Sequence, residues 1–192
     1  MRVFVALDIE DAIRERISRF VEGLRGFAPD ARWVRPESLH VTLKFVGEKS
    51  PEFVEKIKQA LSSVHSAVTD ISFRGYGFFP RPKAARVFWI GIESGPQLAT
   101  LAKAVDETLF ALGIPKEEHA FSPHLTLARA GGRSVRGQKG HAPNVFQLLQ
   151  EKVGALTIPD FGTMRPRDFF LYQSQPQRGG SRYTKMAAFP LQ

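Results

Sequence analysis

The sequence predicts a mixed fold of strands and helices, built as two similar lobes that face each other across a cleft. The first observation is a repeated pattern, Ser-x-His-x-Thr-Leu, found at 38–43 and again, shifted by 84 in residue number, at 122–127. The same shift places Arg2-Val3-Phe4 on Arg86-Val87-Phe88, and Gly47 on Gly131. Each half is also predicted to run strand, helix, His-containing strand, helix. Two copies are too few for a solenoid, so residues 1–192 are expected to form one domain of two lobes related by this repeat.

Both motif segments are predicted to be strands with one polar and one apolar face, because successive side chains of a strand point to opposite sides. The polar face carries Ser38, His40 and Thr42 in the first strand, and Ser122, His124 and Thr126 in the second. The buried face is expected to hold Leu39, Val41, Leu43 and Phe45 in the first strand, and Leu125 and Leu127 in the second.

The other elements of the first half follow from hydrophobic periodicity. Residues 2–9 are apolar and β-branched, which predicts a largely buried strand. A helix is predicted from Asp11, a short strand at 31–34, and a second helix from Ser50-Pro51, where serine caps and proline takes the first helical position. The apolar stripes of these helices are Ile13, Ile17, Phe20, Val21 and Leu24, then Phe53, Ile57, Leu61 and Val64.

In the second half, strands are predicted at 71–79 and 86–92 around a Pro-rich turn at 80–83. A helix striped by apolar residues follows and stops at Gly113. The second motif strand spans 121–129, Asn144 caps a last helix through about 156, and segments 161–175 and 183–191 form a closing hairpin. The stripe of the middle helix is Leu98, Leu101, Ala102, Val105, Leu109 and Leu112.

Composition limits the classes of protein that this chain can belong to. A hydrophobic content of 43% with 16 phenylalanines supports a substantial core. A membrane-spanning helix needs roughly 18 or more consecutive apolar residues, and no apolar run in the sequence approaches that length. The absence of cysteine excludes disulfides, thiol catalysis and thiolate metal sites. Because Met1 to Ile9 begin a strand without the features of a signal peptide, a soluble, cytoplasmic protein is expected. The protein is also expected to be a monomer that does not bind membranes.

The charge balance favours a polyanionic partner. The net charge is +8, from 27 basic and 19 acidic residues, and such a balance attracts nucleic acid. The segment 131–143 combines four glycines with Arg133, Arg136 and Lys139. It is predicted to be a basic loop that either clamps a phosphate backbone or is merely solvated.

The paired motifs suit acid–base chemistry at phosphorus. An imidazole titrates near neutrality, so two of them on opposite sides of a phosphate can serve as one base and one acid for in-line displacement. A threonine hydroxyl on the same face can donate to a phosphate oxygen. This reading makes His40 and His124 catalytic and needs neither a metal nor another cofactor.

Two alternatives use the same histidines differently. A single His-x-Thr is more often a buried, hydrogen-bonded core histidine, but its repetition in register favours a functional site. A metal site is the second alternative, with His119 and His141 recruited as further ligands. Zinc sites usually use three or four protein ligands, and neither of these histidines has a counterpart in the first half, so no metal is expected.

These motifs resemble those of the two-histidine phosphoesterases. His40-Val41-Thr42-Leu43 and His124-Leu125-Thr126-Leu127 are similar to the two H-x-T-x motifs of that superfamily, and within it to the bacterial and archaeal RNA 2′,3′-cyclic phosphodiesterases, also called 2′-5′ RNA ligases. The resemblance runs the length of the chain. It also includes Arg2-Val3-Phe4-Val5-Ala6, the strings HVTLKFVG from His40 and SPHLTLAR from Ser122, Leu171-Tyr172-Gln173-Ser174 and Tyr183.

The resemblance implies an α+β fold of two pseudo-symmetric lobes, each a mostly antiparallel sheet with helices on its outer face. It implies hydrolysis of RNA terminal 2′,3′-cyclic phosphates, or of cyclic nucleotides, to a 2′-phosphomonoester without metal. His40 would be the proton donor and His124 the acceptor, with Thr42 and Thr126 on the phosphate. Ligation of such an end to a 5′-hydroxyl RNA end, or non-catalytic binding of RNA ends, are the alternative functions.

Simple alternation places three further residues on the face opposite to the histidines. Arg129 closes the second signature and would bind substrate only if the strand twists or bulges. Phe45 and Phe121 are expected to pack in the core.

Overall fold

The strands of the described residues form two antiparallel sheets. The structure is a computed structural model that describes residues 1–67, 69–131 and 144–192. The first sheet has the order β3-β1-β8-β9. Its strands are β1 (Arg2–Asp8), β3 (His40–Glu48), β8 (Asp168–Gln177) and β9 (Gly180–Pro190).

The second sheet has five strands in the order β2-β6-β5-β4-β7. They are β2 (Ala31–Trp33), β4 (Ile71–Phe79), β5 (Val87–Ser94), β6 (His124–Ala130) and β7 (Asp160–Met164). The chain leaves the second sheet after β2 and enters the first sheet as β3. The two motif strands, β3 and β6, belong to different sheets and are in contact with each other. The predicted α+β fold with antiparallel sheets is confirmed.

Within the described ranges, four α-helices cover the core side of the sheets: α1 (Asp11–Glu22), α2 (Pro51–Leu61), α3 (Pro96–Phe110) and α4 (Gln147–Gly154). The predicted cap of α2 is present, with the Ser50 hydroxyl accepting from the Phe53 amide at 3.2 Å. The last helix begins later than predicted, because the Asn144 carboxamide accepts from the Phe146 amide and closes a turn before the helix starts. No helix among the described residues combines the length and apolarity that a bilayer crossing requires.

The closing segment differs from the prediction in one detail. Residues 161–175 contain parts of two strands, β7 and β8, separated at 165–167, where Pro166 has no amide hydrogen to continue the ladder. The predicted hairpin of β8 and β9 is present. The predicted basic loop at 131–143 lies outside the described residues, apart from Gly131.

One continuous apolar core joins both sheets and all four helices. A second, smaller cluster lies on the opposite face of the first sheet and consists of Phe4, Ala6 and Tyr172, with Phe170 and Tyr183 packed against it. Each residue of β1 thus faces either the helices or the cleft, as strand alternation requires. The cleft face is unusually aromatic, and it is the face that carries His40.

Both motif strands contain a β-bulge at the same position. In β3, Lys44 pairs with Val5 and Thr42 with Ala6, which leaves Leu43 as an extra residue. In β6, Ala128 pairs with Phe88 and Thr126 with Trp89, which leaves Leu127 as the extra residue. A bulge sets two residues against one on the partner strand and so reverses the alternation beyond it.

These bulges overturn the predicted burial of Phe45. Its side chain is 60% exposed and pairs with Phe4 on the cleft face rather than with Leu43 in the core. Phe121, as predicted, packs against the core, although it remains partly exposed.

In the first strand of each half, the residues that pair with the motif strand are shifted by one position relative to the sequence repeat. The motif threonines differ by 84 in residue number, but their partners Ala6 and Trp89 differ by 83. Phe4 and Phe88, which the repeat superimposes, consequently lie on opposite faces: Phe4 beside His40 and Phe88 fully buried in the core.

Candidate active site

The two motif histidines are fixed in the same way. The Nδ1 atom of His40 lies 2.7 Å from the Ser38 carbonyl oxygen, and that of His124 lies 2.8 Å from the Ser122 carbonyl oxygen. A carbonyl can only accept, so Nδ1 carries a hydrogen in both rings. In the neutral ring the lone pair is then on Nε2, which is the atom available for proton transfer.

His40 lies in an aromatic enclosure. Its ring centroid is 4.9 Å from that of Phe4 and 5.1 Å from that of Tyr183, the latter at a right angle. Its Nε2 atom lies 3.0 Å from the Thr42 hydroxyl, which donates to the neutral ring. Burial lowers the pKa of His40 from its ordinary value, and the hydrogen bond to Ser38 only partly offsets this effect.

Charges from both halves of the chain act on the same imidazole. Arg129 and His124 lower the pKa of His40, whereas Asp8 raises it. These groups come from β6 and from β1, and Asp8 is the direct strand partner of His40. The two predicted catalytic histidines and Arg129 therefore lie close enough to interact electrostatically, where β3 and β6 are in contact.

His124 has a more open environment than His40. Its side chain is exposed, and its nearest aromatic neighbour is Trp89, with ring centroids 6.2 Å apart. The Trp89 indole lies across Gly77, where a Cβ atom would approach it to 2.1 Å, so only glycine permits this position. Two histidines with matching backbone contacts thus have different surroundings.

Arg129 reaches the cleft because of the bulge at Leu127. Leu127 and Ala128 are consecutive buried residues, so Arg129 is exposed on the same face as Thr126. Alternation alone predicts the opposite face for Arg129. The strand contains the bulge that the sequence analysis required for Arg129 to reach the cleft. Thr42 and Thr126 are partly exposed on the cleft face, beside their histidines.

A cavity of about 370 Å³ adjoins this site between β3, α3 and the segment before β6. Its lining includes Thr42, His124, Phe45 and Phe121. Its lining does not include His40, Thr126 or Arg129, so the cavity does not enclose the histidine pair.

A buried lysine connects the first motif strand to α3 and to the segment that precedes the second motif strand. Lys44 is 2% exposed, and its Nζ atom donates to Asp106 Oδ1 at 2.6 Å and to the Pro115 carbonyl at 2.7 Å. Glu117 lies within ion-pair distance at 3.6 Å. The bonds fasten β3 to α3 and to the segment that leads to His124, and they satisfy a buried charge.

Asp8 is held by two cations at the other side of His40. Its carboxylate accepts from Arg14 at 2.7 Å and from Lys185 at 2.6 Å. Burial alone would raise the pKa of Asp8, but the hydrogen bonds from Lys185 and Arg14 outweigh burial and lower it. Burial raises the pKa of Tyr172 far above its ordinary value, so this neighbour of Phe4 stays a neutral phenol.

Sequence reasoning did not identify these neighbours as site residues. The polar and aromatic alternation along the closing hairpin was the available signal, but its use requires knowing that β8 pairs with β1 at the other end of the chain. The residues concerned are Phe4, Asp8, Trp89, Tyr172, Tyr183 and Lys185.

That the protein binds no metal remains a prediction, which depends on the side chains available as ligands. Among the described residues, no three His, Asp or Glu side chains are placed to hold a metal ion together. His119 lines the cavity but is not joined by such partners, and His141 lies outside the described residues.

Comparison with known proteins identifies several relatives of this chain. It is 36% identical over 189 residues to an Archaeoglobus fulgidus protein named RNA 2′,3′-cyclic phosphodiesterase, covering 98% of this chain and 99% of that one. A Methanothermobacter thermautotrophicus protein of the same name is 30% identical over 193 residues, covering 100% and 99%.

Solved structures match the whole fold. Escherichia coli LigT in complex with 3′-AMP has a TM-score of 0.76 at 26% identity, and the Thermus thermophilus protein TT0787 a TM-score of 0.75 at 26% identity. Each comparison covers 99% of this chain and 97% of the other. The family model described as LigT like phosphoesterase matches twice, at residues 7–89 and 90–169, so that each half contains one motif. The chain belongs to the LigT-like phosphoesterase family.

Proposed function

We propose that this protein hydrolyses the terminal 2′,3′-cyclic phosphate of RNA to a 2′-phosphomonoester. The observation that carries the proposal is the pair of histidines, each oriented by a serine carbonyl and each followed by a threonine on the same face. The names of the Archaeoglobus and Methanothermobacter relatives specify the substrate. The net charge of +8 suits a polyanionic substrate.

The reaction is a single displacement at phosphorus. A water oxygen forms a bond to phosphorus as the bond to the ribose O3′ atom breaks. One histidine takes a proton from the water, and the other gives a proton to O3′, so charge and atoms balance. The phosphate remains on O2′, and no covalent intermediate with the protein forms.

Three side chains of the cleft face are assigned to the phosphate. The hydroxyls of Thr42 and Thr126 donate to its non-bridging oxygens, and the Arg129 guanidinium binds it as a fixed cation. Arg129 has the further effect of lowering the pKa of His40 while the site holds no anion. A bound phosphate neutralises that effect and helps His40 to take up a proton.

The proton roles follow the family resemblance, with His40 as donor and His124 as acceptor. In the free protein only a small fraction of His40 carries the proton that it would donate, because burial and the charge of Arg129 lower its pKa. The negative charge of the substrate raises its pKa, so the donor becomes protonated when substrate binds. His124, exposed at the open side, is accessible to the attacking water.

Turnover of a 2′,3′-cyclic mononucleotide tests the proposal. Wild-type protein, incubated without added cofactor, is expected to produce the 2′-nucleotide, and a variant with both His40→Ala and His124→Ala is expected to produce none. Stoichiometric binding without turnover would mean that the protein is a non-catalytic RNA-end binder. Product formation by the double variant would mean that other residues carry the reaction.

A further inference from the structure

Arg32 lies beside Arg129 on the cleft face of the second sheet. The two residues are direct partners in the antiparallel pair of β2 and β6. The neighbouring Trp33 contacts Phe88 in the core, with ring centroids 6.1 Å apart. Arg32 must therefore point to the other side of β2, which is the side that Arg129 occupies on β6.

This pair of arginines has no compensating carboxylate. Both side chains are exposed, and neither forms an ion pair with any of the 19 Asp and Glu residues, all of which are within the described part of the chain. Like charges directly opposite one another on paired strands destabilise a sheet. An anion bound between or beside the two guanidiniums removes that repulsion, and arginine suits phosphate because its donors match phosphate oxygens in pairs.

We infer that Arg32 binds the phosphodiester next to the reacting phosphate, on the 5′ side of the terminal nucleotide. The inference rests on the proposed function, in which Arg129 and the threonines hold the cyclic phosphate. Arg32 lies one strand further out, a spacing of about 4.8 Å. An RNA that ends in a 2′,3′-cyclic phosphate continues only in the 5′ direction, so the next anion along the chain is that phosphodiester.

This assignment gives Arg32 a role in substrate selection rather than in chemistry. A cyclic mononucleotide with a free 5′-hydroxyl has no second phosphate and cannot use Arg32. A dinucleotide with a cyclic end has one internal phosphodiester and can use it. Because a phosphate contact reads no base, the preference for the longer substrate should be independent of sequence.

The test compares kcat/KM of Arg32→Gln with that of wild type on two substrates, a 2′,3′-cyclic mononucleotide and the dinucleotide that carries the same end. For the dinucleotide we expect a loss of roughly fivefold to tenfold, the value of one charged hydrogen bond at an exposed site. For the mononucleotide we expect a change of less than about twofold, which also shows that the variant is folded. Arg32→Lys should retain part of the dinucleotide rate.

A salt series gives a second readout. Each phosphate contact to a single strand contributes about 0.7 to the slope of log affinity against log salt, so Arg32→Gln should lower the slope for a single-stranded RNA oligomer with the same cyclic end by about that amount. Arg19→Gln is the matched control, because Arg19 lies on the exposed side of α1, where it pairs with Glu15. Its slope should equal that of wild type.

The outcomes separate this inference from the proposed function. An equal loss on both substrates, or no loss on either, would overturn the assignment of Arg32 while wild-type turnover still supports the phosphodiesterase. A wild-type protein that hydrolyses neither substrate would overturn the proposed function, and the assignment of Arg32 with it.

Discussion

Thr126 and Arg129 project from the same side of β6, although the three-residue separation between them places them on opposite sides of a regular strand. The extra residue Leu127 reverses the alternation, and Leu127 and Ala128 are both buried. The equivalent bulge at Leu43 brings Phe45 to the face of Thr42. In each half, the third residue after the motif threonine thus lies on the cleft face: Phe45 in the first half and Arg129 in the second.

The first prediction concerns Arg129. Arg129→Gln should lower kcat/KM on a cyclic mononucleotide by roughly 10- to 100-fold, the loss of a charge-assisted hydrogen bond to phosphate. The same change should raise the pKa of His40 in the free protein, because a cation that opposes its protonation is removed. Steady-state kinetics and NMR titration of the histidine ring measure the two effects. Arg129→Lys should leave the pKa of His40 low, and an unchanged pKa in Arg129→Gln would place the arginine away from the site.

The second prediction concerns the motif side chains. His40→Ala and His124→Ala should each lower kcat by roughly 10²–10⁴, the usual contribution of a positioned acid or base. Thr42→Ala and Thr126→Ala should each cost on the order of 1–3 kcal/mol of transition-state stabilisation. His65→Ala, which removes an exposed imidazole, is the control. A folded His40→Ala protein with wild-type kcat would show that this histidine is structural.

The third prediction separates the two proton roles. A general acid matters less when the leaving group departs readily as an anion. A phosphodiester with a phenolic leaving group of low pKa should therefore restore His40→Ala substantially and His124→Ala much less. The ratio of rates on the two substrates, each relative to wild type, cancels differences in binding. Selective restoration of His124→Ala would reverse the assignment of donor and acceptor.

The fourth prediction links His40 to stability. Because the pKa of His40 is lowered in the folded state, the unfolded chain binds the proton more readily, and the free energy of unfolding should fall as the pH drops below about 6.5. The contribution is fully present above that pH. His40→Gln should reduce the difference in stability between about pH 8 and pH 5.5, measured by chemical denaturation. His65→Gln should leave it as in wild type, and an equal pH dependence in wild type and His40→Gln would contradict the enclosure of the ring.

The sequence predicted the parts of the site that depend on local spacing. The repeated motif predicted that His40 and Thr42 share one strand face and that His124 and Thr126 share another, since strand alternation holds over the two residues from histidine to threonine. The same rule failed for Phe45, because a bulge depends on pairing with a partner strand and leaves no simple mark in the sequence.

Long-range pairing explains the site residues that the sequence did not reveal. Tyr172 and Tyr183 approach Phe4 and His40 only because the closing hairpin pairs with the first strand, from the opposite end of the chain. The strand register was likewise needed to show that the partners of the motif threonines, Ala6 and Trp89, differ by 83 in residue number, whereas the motifs themselves differ by 84. Identical residues at equivalent positions of a sequence repeat can therefore lie on different faces of their sheets, as Phe4 and Phe88 do.

The most direct test of the proposed reaction is product analysis on a short RNA that ends in a 2′,3′-cyclic phosphate, in excess chelator and with a 5′-hydroxyl RNA also present. The fifth prediction is that the terminal phosphate is recovered as the 2′-monoester. The rate should be within about twofold of that without chelator, because the proposed mechanism does not use a metal to activate water. Loss of activity that zinc or manganese restores would contradict the acid–base mechanism. A 3′-monoester, or a product joined to the 5′-hydroxyl RNA in place of the monoester, would contradict hydrolysis to the 2′-phosphate as the reaction of this protein.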